Sequence, residues 1–163
     1  MKTIANFQLL ANFNAWANTK IIFSCKKLND AEYKKDRKAF FSSIHGTLNH
    51  LLVVDRAYIS HLEEIDHGLK SLDQILFEYL LQLDEARIKE DKHLVDLVNS
   101  LSEESIHKEI TYKGFETGNT TYTINILLIT LFNHQTHHRG HIHNMLSQSG
   151  IKSPQIDIPD FIN

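Results

Sequence analysis

His134-Gln-Thr-His137-His138-Arg-Gly-His141 is the part of this 163-residue chain with the clearest chemical potential. It continues an apolar run, Thr123 to Phe132, that reads as a helix. On such a helix His134 and His138 stand one turn apart, about 40° from each other, and His141 lies within about 20° of His134. Leu127, Leu131 and Met145 share that face, so imidazoles occupy positions where core leucines sit upstream. Neutral imidazole is a ligand for zinc, nickel, copper and iron, and a pair at i, i+4 can grip one ion. Eleven histidines in the chain raise the chance of an accidental HxxxH, and a lone buried histidine is commonly a core residue. Three on one face at turn spacing argue for a site. The zinc-protease reading fails, because Gln135 stands where an HExxH motif needs its general-base Glu.

Composition narrows the alternatives. The length suits one domain, residues 1–163, with a substantial core. Hydrophobic residues make up 42% and the net charge is −3 with both signs scattered. The cluster Lys26-Lys27, Lys34-Lys35, Arg37-Lys38 is short and has no interleaved aromatics, which argues against nucleic acid as a partner. The single Cys25 excludes an internal disulfide, CxxC zinc sites and CxxC redox chemistry, and reads as a core filler. No run has signal-peptide or membrane-spanning length, so the expectation is a cytoplasmic protein with no membrane partner.

Two prolines and six glycines favour long helices. Apolar i, i+3, i+4 spacing predicts helices over about Thr3–Leu28, Asp36–Glu64, Leu72–Leu101 and Ile124–Ser149. Ser71 or Asp73 would cap the third and Thr121 or Thr123 the fourth, with Gly150 as the terminal cap. The third helix is read with Asp84, Glu85, Lys89, Glu90, Asp91 and Lys92 on its solvated side. Between the last two helices, Glu109–Lys113 and Thr120–Thr123 flank turn residues and predict a small hairpin. The fold class is therefore all-α: an up-down four-helix bundle with a small β-hairpin before the last helix. Its core is a natural place for a metal held from facing helices.

The chain resembles the DinB-like family of metal-binding four-helix bundles. Three segments carry the resemblance: Asn14-Ala-Trp-Ala-Asn18, Gly46-Thr-Leu-Asn-His50 with Asp55, and Asn133-His134-x-x-x-His138-Arg139-Gly140. They occur in the family's order across nearly the whole chain. The resemblance implies a divalent ion, zinc, nickel or iron, on a triad that maps to His50, His134 and His138. Three imidazoles leave coordination positions open for water or substrate.

The chain departs from the family pattern at His141, where Gln is common. His141 can hydrogen-bond near the metal or become a fourth ligand; we expect the first. His137 sits on the flank, and His143 on the opposite face, exposed. Asp55 can orient a ligand, pair with Arg139, or form an ordinary helix-pairing salt bridge. Arg139 can meet an anionic substrate or a carboxylate. No catalytic residue is assignable beyond the triad.

Two functions follow. The first is a metal-dependent enzyme, a thiol-dependent transferase or isomerase or a hydrolase, whose thiol comes from a small-molecule cosubstrate. The second is non-enzymatic: a metal-stabilised stress-response or dimeric interaction protein, with a two-fold homodimer as the expected assembly. An open pocket beside the metal would favour the enzyme, and a closed four-ligand site the structural role.

Overall fold

The computed structural model describes residues 3–115 and 118–163. Four long helices dominate: α1 (Thr3–Cys25), α3 (Ile44–Leu62), α4 (Leu80–Ser100) and α5 (Ile124–Gln148), with short helices α2 (Asp30–Lys34) and α6 (Ile158–Ile162). α1 lies chiefly against α4 and α3 against α5, while α1–α5 and α3–α4 contacts close the ring. Strands β1 (Glu109–Gly114) and β2 (Gly118–Thr123) pair antiparallel, with Glu109 opposite Thr123 and Gly114 opposite Gly118. The hairpin therefore stands where the alternation predicted it. Residues 116 and 117 of its expected turn lie outside the described residues. Gly150 follows α5 with φ +73°, the left-handed conformation that a terminal glycine supplies without steric cost. Thr123 occupies the N-cap position of α5 but makes no capping hydrogen bond through its side chain.

Two helices begin later than their apolar spacing suggests. α3 starts at Ile44 rather than Asp36, capped by Ser43, whose Oγ accepts from Gly46 N at 3.0 Å. Ahead of it the chain turns sharply, with Lys38 at φ 58° and Ser42 at φ 60°. Phe41 keeps helical spacing from Ile44 and Leu48 but sits in this turn. α4 starts at Leu80 rather than Leu72, because the backbone at Leu76 and Phe77 is taken by another partner. Asn49 on α3 accepts from both amides, at 2.8 and 2.9 Å, and donates to Phe77 O at 3.1 Å. His45 Nε2 donates to the same carbonyl at 3.0 Å. Segment 65–79 is thereby clipped along α3, and neither Ser71 nor Asp73 caps a helix.

The apolar core falls into two clusters separated along the bundle. One includes Phe7, Ile59, Leu94, Leu127 and Leu131; the other includes Ile21, Leu48, Leu51, Leu83 and Met145. Between them every long helix contributes buried polar side chains: Asn14 and Asn18, Asp55, Arg87 and Asp91, Gln135 and Arg139. Arg87 pairs with Asp55 at 2.7 Å and with Asp91 at 3.0 Å. Asn18 donates to Asp91 at 2.9 Å, Gln135 donates to Asp55, and Arg139 donates to Asn14 and Asn18. Two carboxylates and two guanidiniums balance in this layer. Burial pushes Asp91 up to about 6 and Arg139 down to about 10. Asp91, read from sequence as solvated, is thus a core residue. Asp84 is also buried, paired with Lys26 at 2.6 Å.

Candidate metal centre

α3 and α5 face each other, and their histidines meet. His50, His134 and His138 present ring nitrogens that all lie within 4.8 Å of one another. His50 Nδ1 donates to Leu72 O at 2.8 Å. That carbonyl is free to accept because segment 65–79 is not helical. The bond places the His50 proton on Nδ1 and leaves the Nε2 lone pair facing inward. Nε2 lies 3.0 Å from His134 Nε2. Ligands about 2.0–2.1 Å from a tetrahedral ion stand roughly 3.3 Å apart, so the spacing fits chelation. The Nδ1 atoms of His134 and His138 are buried and make no hydrogen bond among the described residues. Each ring offers one nitrogen lone pair, and three neutral imidazoles gathered in this way are a donor set that suits a divalent transition metal.

Burial keeps these rings neutral. It lowers His134 to about 4 and His138 to about 3, aided by neighbouring imidazoles, and lowers His50 despite its bond to Leu72. A ligand that is already deprotonated at neutral pH loses no free energy to proton release on binding metal.

An aromatic plate backs the triad. Phe41 stacks on His50 with centroids 3.7 Å apart and lies 5.5 Å from His138. Gly46 makes room for it: a Cβ at that position would stand 2.3 Å from Phe41 O. The sequence motif containing Gly46 thus serves the approach of a preceding turn. The triad opens on two sides. A cavity of about 700 Å³ is lined by Phe40, Phe41, Lys70, His137, His138 and His141, and also reaches His50. A second, of about 280 Å³, is lined by His50, His134, Tyr58, His61, Tyr112 and Phe115.

The other residues singled out from sequence part company here. His141 lines the larger cavity but is outside the group formed by His50 and His134. Instead it clusters with His137 and His138. Asp55 and Arg139 line neither cavity. Asp55 makes the helix-pairing salt bridge, with Arg87 rather than Arg139, and Arg139 is held by the asparagines of α1. Arg139 borders a separate cavity with Phe13 and His143. His143 is half-buried rather than exposed, its Nε2 donating to Pro154 O at 2.9 Å. Sequence reasoning missed Arg87 as a core residue. The available signal was its place one turn from both Leu83 and Asp91 on the apolar stripe of α4. Asn49 gave no such signal, because its role depends on a segment that approaches from elsewhere.

Comparison with known proteins gives the same architecture. A crystal structure of a DinB-like protein from Bacillus cereus superposes with a TM-score of 0.74 at 17% identity, covering 96% of this chain and 99% of that one. The Protein DinB of Bacillus subtilis (strain 168) is 32% identical over 158 residues, covering 91% of this chain and 88% of the relative. The family description "DinB family" matches residues 1–163. With the helical bundle and the three-His cluster in place, the chain belongs to the DinB family.

Proposed function

We propose that this protein is a divalent-metal-dependent enzyme whose ion is held by His50, His134 and His138. The observation that carries the reading is that His50 and His138 stand on the wall of a cavity of about 700 Å³ with His134 grouped beside them. Three protein ligands leave a position open, and a cavity gives that position a use. The bound ion supplies Lewis acidity, lowering the pKa of a coordinated water or thiol near neutral pH.

The residues around it define what can bind. Phe40 and Phe41 offer apolar surface, and Lys70, with Asp73 on the same wall, offers a cation to a carboxylate on the same molecule. A small thiol carrying a carboxylate matches this lining, with its sulfur as nucleophile toward a second substrate. The smaller cavity, on the Tyr58 and Tyr112 side, can receive that second substrate. Cys25 is buried in the apolar core: burial raises its thiol to about 12, so the nucleophilic sulfur comes from a cosubstrate. Transfer or isomerisation through a thiolate is the first reading, and hydrolysis by metal-activated water uses the same site.

Zinc, nickel and iron all suit the ligand set. Elemental analysis of protein purified without a nickel resin tests the centre. The expected result is one ion per chain, lost in His50→Ala, His134→Ala and His138→Ala. Full metal content in all three variants would remove the proposal. A screen of small thiols against electrophilic and ester substrates then separates transfer from hydrolysis. Failure of every substrate with metal-loaded protein would leave the alternative, an ion that serves stability alone.

A further inference from the structure

A second histidine group stands at the mouth of the larger cavity. His137, His138 and His141 place ring nitrogens within 4.8 Å of one another. Ring centroids are 4.9 Å apart for His137–His138, 4.4 Å for His137–His141 and 5.2 Å for His138–His141. His137 is exposed, His141 is half-buried, and both line the cavity that reaches His50 and His138. His137 and His141 stand one turn apart on α5, the same spacing as His134 and His138. The inner and outer groups have His138 in common.

We propose that His137, His138 and His141 form an outer docking position for a divalent transition-metal ion, from which the ion passes through His138 to His50 and His134. The inference rests on the inner triad being the resident metal site.

Three physical arguments carry it. Two accessible imidazoles one turn apart on a helix bind a borderline ion from solution without help from the rest of the fold. A hydrated ion reaching the buried nitrogens of His50 and His134 must shed water, and the outer imidazoles replace that water one ligand at a time. A neutral imidazole has one lone pair, so His138 serves one ion at a time, and the two positions are successive rather than simultaneous. In the transfer, the bonds to His137 and His141 break as bonds to His50 and His134 form. His138 stays bound, displaced waters return to the cavity, and every imidazole remains neutral. An ion held at the mouth also raises its effective concentration beside the triad. This gives His141 a use that its placement away from His50 and His134 otherwise lacks.

Zinc is the probe. Metal-free protein is mixed with zinc in a stopped-flow instrument, a chromogenic chelator reports free ion, and circular dichroism confirms helicity. The His137→Gln/His141→Gln variant should bind one equivalent with an equilibrium affinity close to wild type. It should load about tenfold more slowly or worse, and release zinc to chelator more slowly in proportion. His50→Ala/His134→Ala, which leaves only the outer group, should keep weak zinc binding, and adding His137→Gln and His141→Gln should remove it. An unchanged loading rate in the double variant would overturn the docking role. So would an equilibrium loss as large as that of His50→Ala, since the outer histidines would then belong to the stable site. Wild-type zinc affinity in His50→Ala would instead overturn the inner triad, which keeps the two failures apart.

Discussion

The ring of Phe41 lies flat on the imidazole of His50, 3.7 Å between centroids and 21° from parallel, and a glycine allows it. The backbone turn that carries Phe41 passes so close to α3 that its carbonyl oxygen occupies the space of a Gly46 side chain.

Gly46→Ala should therefore destabilise the protein despite the better helix propensity of alanine. The backbone must give way, and overpacking of this kind costs about 1–3 kcal/mol. Gly140→Ala is the control, since nothing stands within 4 Å of a Cβ there. It should be neutral or stabilising by up to about 1 kcal/mol. Urea denaturation of both variants checks the pair; equal effects would refute the steric account.

Arg87→Met should be among the most damaging single changes outside the metal centre. It leaves Asp55 and Asp91 buried without their cation. Removing one partner of a buried pair typically costs about 3–5 kcal/mol. Thermal unfolding reads the loss, and a change under 1 kcal/mol would mean the layer is hydrated.

Asn49→Ala should loosen segment 65–79, which loses two amide acceptors and one donor at Leu76 and Phe77. Hydrogen exchange at residues 76 and 77 should accelerate. Because Leu72 O orients His50, zinc affinity should fall by about 10- to 100-fold. Faster exchange with unchanged affinity would show that the His50–Leu72 bond survives without the clip.

Acid should weaken the metal-free protein through the triad. Burial, then neighbouring imidazoles, holds His138 at about 3 and His134 at about 4, below an ordinary histidine. Between those values and about 6.5 the unfolded chain binds more protons than the native one, so stability rises with pH there. Asp91, raised to about 6 by burial, works in the opposite sense between about 4 and 6. Comparing wild type with His138→Gln isolates one group. The stability of wild type relative to the variant should decline as pH falls from about 6.5 towards 3. A difference independent of pH in urea titrations would refute the assignment.

The sequence made the bundle, the hairpin and the meeting of His50 with His134 and His138 accessible to reasoning. Periodicity reports burial along one helix, and the DinB resemblance placed the third histidine. Periodicity misled at Phe41 and Leu76, where apolar spacing persists but the backbone is committed to a turn and to Asn49. It also misassigned Asp91. A charge on an apolar stripe is intelligible only with its partner, and Asp91 finds partners on α1 and within α4. The Asp55–Arg87 pair likewise joins residues far apart in sequence, and no local pattern announces it.

The charged layer has a consequence for axial phase. A leucine seam shifted by one helical turn, roughly 5.4 Å, meets another leucine and re-forms. Arg87 shifted by the same amount leaves Asp55 of α3 behind, buried without its cation, and carries only Asp91 of its own helix with it. Sliding α4 past α3, or α3 past α5 where Gln135 holds Asp55, is thus penalised at one height of the bundle. His50 is one turn and a residue from Asp55, and His134 and His138 flank Gln135. The layer works as a vernier: residues that never touch an ion fix the height at which the imidazoles of two helices come level.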